Sequence, residues 1–380
     1  MRILMVNLPF AGHTNPTLPL TRALVRRGHA VTYVNAESFR KAIEQTGAFF
    51  IPYRDFPPDI SEDDKKKQCF VAAFLSAMSL EEPFDLLIYE MFFYPGYALA
   101  RKLGIPCVRQ FSQTAWSEET WQEAPWVFRL SARLIDRQVL PKKKAAAMGL
   151  ELTCLRDGIL HSKPDLNIVY VPEGFQNCRD SFDDRFVFLT PKPEAVPCDV
   201  QIPYESIRKP IVYISLGSII SNRGFCKEII RGFGNKAFSV ILNTGRIDPG
   251  SLGKIPENIY AYSFVPQLAV LQHADVFLTH CGMNGINEAL HLGVPMVAMP
   301  FLNDQLTNAR QLVRLGLAKQ VRSFPSSEKE LYRTVCQVYE SNEIRQNIAH
   351  MQETLCCGTG LDNIITRIEM LAQSKGGTLP

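Results

Sequence analysis

Short apolar runs alternate with amphipathic stretches along almost the whole chain. That rhythm predicts βαβ units, a parallel sheet covered by helices. In the first half RILMVNL, AVTYVNA, AFFIPY, DLLIYE and PCVRQF read as strands, with DLNIVYVP and RFVFLT further on. Between them PTLPLTRALVRRG and YPGYALARKLG read as helices, each ending at a glycine that suits a left-handed cap. Residues 127–148 read as a further helix. From Pro191 to Pro210 five prolines interrupt any periodicity, and the interdomain linker is expected there. The rhythm restarts with PIVYISLG, FSVILNTG, NIYAYSF, VFLTHC and PMVAMP. It closes on helical runs through SSEKELYRTVCQVYE and NIITRIEMLAQ and a small polar tail. The expected fold class is α/β, with two Rossmann-like domains facing each other and ligands at the carboxyl ends of the strands, in the cleft between them.

Composition changes this picture little. At 380 residues the chain exceeds the roughly 250–300 at which single cores stop growing, which agrees with two domains. Hydrophobic residues make up 46% and charged residues 21%, an ordinary globular balance. A net charge of +3 is too small to argue for nucleic acid or an anionic membrane as partner. The ten cysteines are scattered, with only Cys356 and Cys357 adjacent and no C-x-x-C. Neither a disulfide framework nor a zinc site is signalled, and a reducing cytoplasm is the expected location. The opening MRILMVNLPF is apolar but short and runs into a Gly-His turn, so it reads as a strand rather than a leader. No window supplies the roughly 18 apolar residues of a membrane span. The basic runs Lys65–Lys67 and Lys142–Lys144 read as solvated helix faces.

The most informative stretch runs from Ser263 to Gln305. There VFLTHC is a buried strand, Gly282 to Gly285 a flexible turn, and INEALHLG opens a helix. Such a turn is an anion site, because the unpaired N–H groups and positive helix end can hold a diphosphate. Gly282 and Gly285 let the backbone come close. His280, at the strand end, is placed to donate to the same phosphates, and Glu288, one turn into the helix, to accept from both ribose hydroxyls. The bland alternative is that a strand, a glycine turn and a helix are how α/β proteins turn corners.

The longer pattern separates these readings. Aromatic-x-Pro-Gln, then Leu-x-His, Thr-His-x-Gly-x-Asn, Glu, Gly-Val-Pro and Asp-Gln follow in order over residues 264–305. This resembles the donor-binding signature of the family 1 glycosyltransferases. The opening through GHTNP resembles their bacterial macrolide-glycosyltransferase branch. The resemblance implies the two-domain GT-B fold and a UDP-sugar donor, which is a co-substrate, so no cofactor is expected. The domains are drawn as residues 1–200 for the acceptor, 201–360 for the nucleotide sugar, and 361–380 as a closing helix packing back on the first domain, with its tail.

By the same resemblance Phe264 stacks on uracil, where plant relatives carry Trp, and Gln267 touches the base. His280 meets the diphosphate together with Asn284 and Gly285, and Glu288 holds the ribose. Asp304 and Gln305 bind sugar hydroxyls, in the manner of glucose users, and Ser218 reaches the phosphates from a facing loop. His13 is the general base that takes the proton from the acceptor hydroxyl. An imidazole in this role needs an orienting carboxylate on its other nitrogen. The family usually places an Asp there, and Glu90 aligns with it. The structural alternatives are a packing or capping role for His13, plain core for Phe264, and a salt-bridge role for Glu90.

The stretch between Tyr53 and Phe84 is short and lacks part of a helical segment of the relatives. Among the aromatic residues Phe92, Phe93, Tyr94, Phe111, Trp116, Trp121 and Trp126, mostly core, Phe92, Phe111 and Trp116 are the candidates for an apolar acceptor site. No Asp-x-Asp pair occurs, so no metal is expected. The expected reaction is inverting, metal-independent transfer of a hexose, glucose first, to a hydroxyl of a small hydrophobic acceptor such as a macrolide or phenol, by a monomer or homodimer. Three rivals share the fold or the site: a lipid-acceptor glycosyltransferase, a sugar-nucleotide epimerase, and a non-catalytic donor-binding protein. GHTNP does not favour the first, and the second needs several carboxylates and an Arg around the sugar.

Overall fold

The computed structural model of the chain describes residues 1–130, 146, 154–190, 192–194, 199–217, 222–301, 304–322, 327–357 and 360–376. The chain divides into two compact units, Met1–Pro191 with Gly358–Pro380, and Lys192–Cys357. The division falls at the head of the proline-rich stretch.

The first unit holds a seven-stranded parallel sheet of β1 (Arg2–Val6), β2 (Ala30–Asn35), β3 (Phe49–Pro52), β4 (Leu86–Glu90), β5 (Cys107–Phe111), β6 (Leu166–Val169) and β7 (Phe186–Phe188). Its spatial order is β3-β2-β1-β4-β5-β6-β7. The second unit holds β8 (Ile211–Ser215), β9 (Ser239–Asn243), β10 (Ile259–Tyr262), β11 (Val276–Thr279), β12 (Met296–Ala298) and β13 (Ala318–Gln320), in the order β10-β9-β8-β11-β12-β13. Both are the doubly wound order, parallel throughout. Strands at the centre, such as β4, β8 and β11, are buried at every position, which is why they read as nearly continuous apolar runs rather than alternating ones. Three-residue β13 carries too little pattern to be read from sequence; its pairing with β12 makes it a strand.

In each sheet the winding reverses once, between β1 and β4 and between β8 and β11. Loops leaving neighbouring strands at such a point diverge to opposite faces and open a crevice at the carboxyl ends. His13, Glu90 and His280 stand at the ends of three of these strands, and Ser218 follows the fourth, β8, in sequence.

The core of the first unit gathers Ile3, Met5, Leu20, Leu24, Ile88 and Val108 with Ile364, Ile365 and Ile368 of the closing helix Leu361–Gly376. That helix is therefore part of the first unit although it follows the second in sequence. Its outer edge is tied by His29 Nε2 to Glu369 Oε1 at 3.0 Å and by Arg27 to Asp362 and Glu369, each at 3.5 Å. The short stretch after Tyr53 contains one helix, Glu62–Met78, capped by Ser61 Oγ accepting from the Asp64 amide. Of the helix expected over residues 127–148, residues 127–130 and 146 are helical, and the remainder lies outside the described residues, as do Lys142–Lys144. Among the described residues no helix is long and apolar enough to cross a membrane.

Candidate active site

In the first unit the chain leaves β1, passes Pro9, and enters a helical turn, Ala11–Thr14, that continues through Asn15–Thr17 into the helix Leu18–Arg26. Pro16 sits in a first turn, where its missing N–H costs nothing. His13 thus stands just beyond the end of β1, and Glu90 is the last residue of β4, the strand beside it. His13 Nδ1 lies 3.0 Å from Glu90 Oε1. The other carboxylate oxygen accepts the Phe92 amide at 2.9 Å. Glu90 is fully buried, whereas the His13 side chain keeps 24% of its surface exposed. An ionised Glu90 can only accept, so it holds the imidazole proton on Nδ1 and makes Nε2 the basic atom. The longer Glu side chain therefore completes the pair in its own way, braced at its far oxygen by a backbone amide.

Ser112 Oγ, just after β5, also approaches His13 Nδ1, at 3.2 Å. The histidine ring lies between Phe10, 5.7 Å away centroid to centroid, and Phe92, 5.5 Å away. Beneath it Asn7 Nδ2 donates to the His13 carbonyl at 3.3 Å, and Gln110 Nε2 donates to Asn7 Oδ1 at 3.4 Å. The imidazole is thereby fixed from backbone and ring alike.

An aromatic wall continues from this pair. Phe92 meets Trp116 edge-on at 5.9 Å, and Trp116 packs on Trp121 at 5.2 Å and on Phe128 at 5.5 Å. Phe93 and Tyr94 are buried, and Trp126 is exposed. Phe111 does not join this wall, which corrects the expectation that it lines a ligand surface. It is fully buried, against Phe186 at 6.1 Å and beneath the Arg109 guanidinium at 4.8 Å. Its position at the end of a central strand turns it into the sheet's outer layer.

In the second unit β11 ends at Thr279, and the helix Met283–Leu292 begins after Gly282 with no side chain capping it. Its first-turn amides therefore point outward unpaired, as an anion site requires. The turn is held by Thr279 Oγ1 accepting from the Cys281 amide at 3.1 Å and by Asn308 Nδ2 donating to the Cys281 carbonyl at 3.0 Å. His280 occupies a slot between two glycines. A Cβ on Gly217, just after β8, would stand 2.6 Å from His280 Cε1, and one on Gly282 would stand 2.6 Å from Nε2. Burial lowers the His280 pKa to about 4, partly offset by the Ser215 backbone. At neutral pH the ring is uncharged, a hydrogen-bonding group rather than a cation. Among the described residues its buried Nδ1 has no hydrogen-bond partner.

One turn into the helix, Glu288 Oε2 accepts from Gln267 Nε2 at 2.6 Å. Burial raises the Glu288 carboxyl pKa, and the Gln267 donor opposes that. Gly285 lies beside this amide, and a Cβ there would only touch Gln267 Nε2, at 3.5 Å. Phe264, between β10 and the helix Gln267–Leu271, is 54% exposed, so it is not plain core. Asn284 is half-buried in the first turn of its helix. Asp304 opens the helix Asp304–Arg314, and Gln305 is buried with Oε1 accepting the Phe301 amide at 3.0 Å. Asn308 Nδ2 also reaches Asp304 Oδ2 at 3.4 Å, which links that loop to the glycine turn. Ser218 lies outside the described residues. Among the described residues no three His, Cys, Asp or Glu side chains converge as a metal site.

The structure thus gathers His13, Glu90, Phe92 and Trp116 in one unit, and His280, Gly282, Gln267 and Glu288 in the other. Ser112, Gly217 and Asn308 join them without having been singled out by sequence. Gly217 had a signal, since YISLGS closes a buried strand; the other two act through tertiary contact alone.

Two doubly wound parallel units with these strand-end sites define a GT-B glycosyltransferase. The solved glycotransferase of kitacinnamycin matches with a TM-score of 0.82 and 31% identity over 97% of this chain and 98% of its own. The chain belongs to the UDP-glucoronosyl and UDP-glucosyl transferase family, whose model matches residues 192–359. It is 32% identical to the NDP-glycosyltransferase YjiC of Bacillus licheniformis, over 98% of both chains. It is 28% identical to the oleandomycin glycosyltransferase of Streptomyces antibioticus, over 92% of this chain and 86% of the relative.

Proposed function

We propose that this protein transfers glucose from UDP-glucose to a hydroxyl of a small, largely apolar natural product, with inversion at the anomeric carbon and without a metal ion. The carrying observation is the 3.0 Å contact of His13 Nδ1 with the buried Glu90 carboxylate. That contact suits His13 to act as general base, because it settles the tautomer and steadies the imidazolium formed in the reaction.

The acceptor hydroxyl gives its proton to His13 Nε2 as its oxygen bonds to the anomeric carbon from the face opposite the diphosphate. The bond from that carbon to the phosphate oxygen breaks, and its electron pair leaves with UDP. Outward amides of the Met283–Leu292 helix and the neutral His280 are suited to stabilise the departing charge without proton transfer. An α-linked donor then gives a β-linked product. In this reading Phe264 stacks on uracil, Glu288 holds the ribose, Asp304 and Gln305 take the sugar hydroxyls, and Phe92 with Trp116 receives the acceptor. Relatives named for oleandomycin and kitacinnamycin support a natural-product acceptor.

The test is His13→Ala. UDP binding by calorimetry is expected to stay near normal while the transfer rate to a phenolic or macrolide acceptor falls about 10²–10⁴-fold. Full transfer by that variant would overturn the base assignment.

A further inference from the structure

The Glu288 carboxylate is held by Gln267, the residue expected at the base, and through it by Tyr213, and the inference drawn from them rests on the reading that Glu288 binds ribose. Gln267 Nε2 donates to Glu288 Oε2 at 2.6 Å, and the Tyr213 hydroxyl donates to Gln267 Oε1 at 3.2 Å. The direction of this chain follows from chemistry. A carboxylate can only accept, so the amide must turn its nitrogen to Glu288, and its oxygen then faces Tyr213, whose O–H is the matching donor.

Tyr213 is well suited to fix that orientation. It is fully buried in β8 and stacked on Phe277 of β11, with ring centroids 5.0 Å apart and planes 10° from parallel. Burial holds the phenol well above its ordinary pKa, opposed by hydrogen bonding with Ser215 and Asn243 and aided by the Glu288 charge, so it keeps its proton at neutral pH. Glu288 by itself still selects the amide nitrogen, but without the Tyr213 hydroxyl the Gln267 oxygen loses its donor and the amide is held at one end only. Gln267 can then shift, and Glu288 with it, which moves an acceptor away from the ribose.

We propose that Tyr213 is a positioning residue for the nucleotide sugar, acting through Gln267 on Glu288 to favour a ribose over a 2′-deoxyribose donor. A group acting on ribose recognition changes the ratio of the two affinities, whereas a residue that merely supports the sheet weakens both equally.

The experiment measures UDP and 2′-deoxy-UDP binding to the full chain by calorimetry, for the wild type, Tyr213→Phe and Glu288→Gln. Tyr213→Phe keeps the stacked ring and removes one oxygen. It is expected to weaken UDP about three- to ten-fold and 2′-deoxy-UDP by at most about two-fold, narrowing the preference. Equal weakening of both, or no change in either, overturns the proposal. If Glu288→Gln narrows the preference and Tyr213→Phe does not, the relay fails and the ribose reading of Glu288 stands. If Glu288→Gln leaves the preference intact, the ribose reading fails and takes the proposal with it. Should Tyr213→Phe not fold, Gln267→Leu interrupts the same relay at its middle, with the same expected narrowing and the same refuting outcomes.

Discussion

Two glycines and a histidine set the character of the proposed phosphate site. Gly217 has a φ of +76°, and its missing Cβ is the space in which the His280 ring lies. Alanine there meets two costs at once: about 1–2 kcal/mol for a left-handed backbone, and the displacement of a ring 2.6 Å from the new carbon. Gly217→Ala is therefore expected to lower the melting temperature and weaken UDP binding about ten-fold or more, since one to two kcal/mol already spans that range. Calorimetry and thermal melts check both. His280 itself makes the fold sensitive to acid. The unfolded imidazole protonates near 6.5 and the folded one only near 4, so between these values the unfolded state binds more protons. Stability contributed by the neutral ring is complete above about pH 6.5 and is lost as pH falls towards 4, by up to about 3 kcal/mol. His280→Gln should flatten the fall in stability between pH 6.5 and 4; an unchanged slope in urea titrations would refute this account.

At the scale of elements, the closing helix is the feature most open to test. Ile364 is fully buried in the core of the first unit, among residues from β1, β4 and the helix Leu18–Arg26. Ile364→Ala should cost about 2–5 kcal/mol of stability, through lost burial and the cavity it leaves. The loss is expected in urea unfolding of the full chain, although the substitution lies near the carboxyl terminus, where changes are usually mild. The same scale explains the His13–Glu90 pair. β1 and β4 are neighbours although more than eighty residues separate their ends, so a residue just past one and the last residue of the other meet without any local sequence link. β8 and β11 repeat the arrangement, bringing Gly217 against His280.

For the molecule as a whole, the charge needed to balance a departing diphosphate has to come from somewhere. The proposed source is the uncapped start of the Met283–Leu292 helix with His280, preorganised dipoles that require no bound cation. Excess chelator is accordingly expected to leave the transfer rate within about two-fold of the untreated enzyme, read by product formation at saturating donor. A strict requirement for added magnesium would contradict that account.

Sequence alone determined the class of fold, because continuous apolar strands alternating with amphipathic helices have few other ways to bury themselves. It also marked His280 and Glu288, since a turn chemistry of glycine, histidine and helix start is local and leaves a local mark, whereas His13 and Glu90 are singled out by resemblance to the family. Tertiary structure decided what pairwise contact decides. Phe111 is core rather than wall, Ser112 reaches the His13 imidazole, Tyr213 stands behind Gln267, and β13 becomes a strand by pairing. Periodicity records which side of an element is apolar. Which partner covers that side depends on contacts between residues far apart in the chain, and no local pattern encodes them.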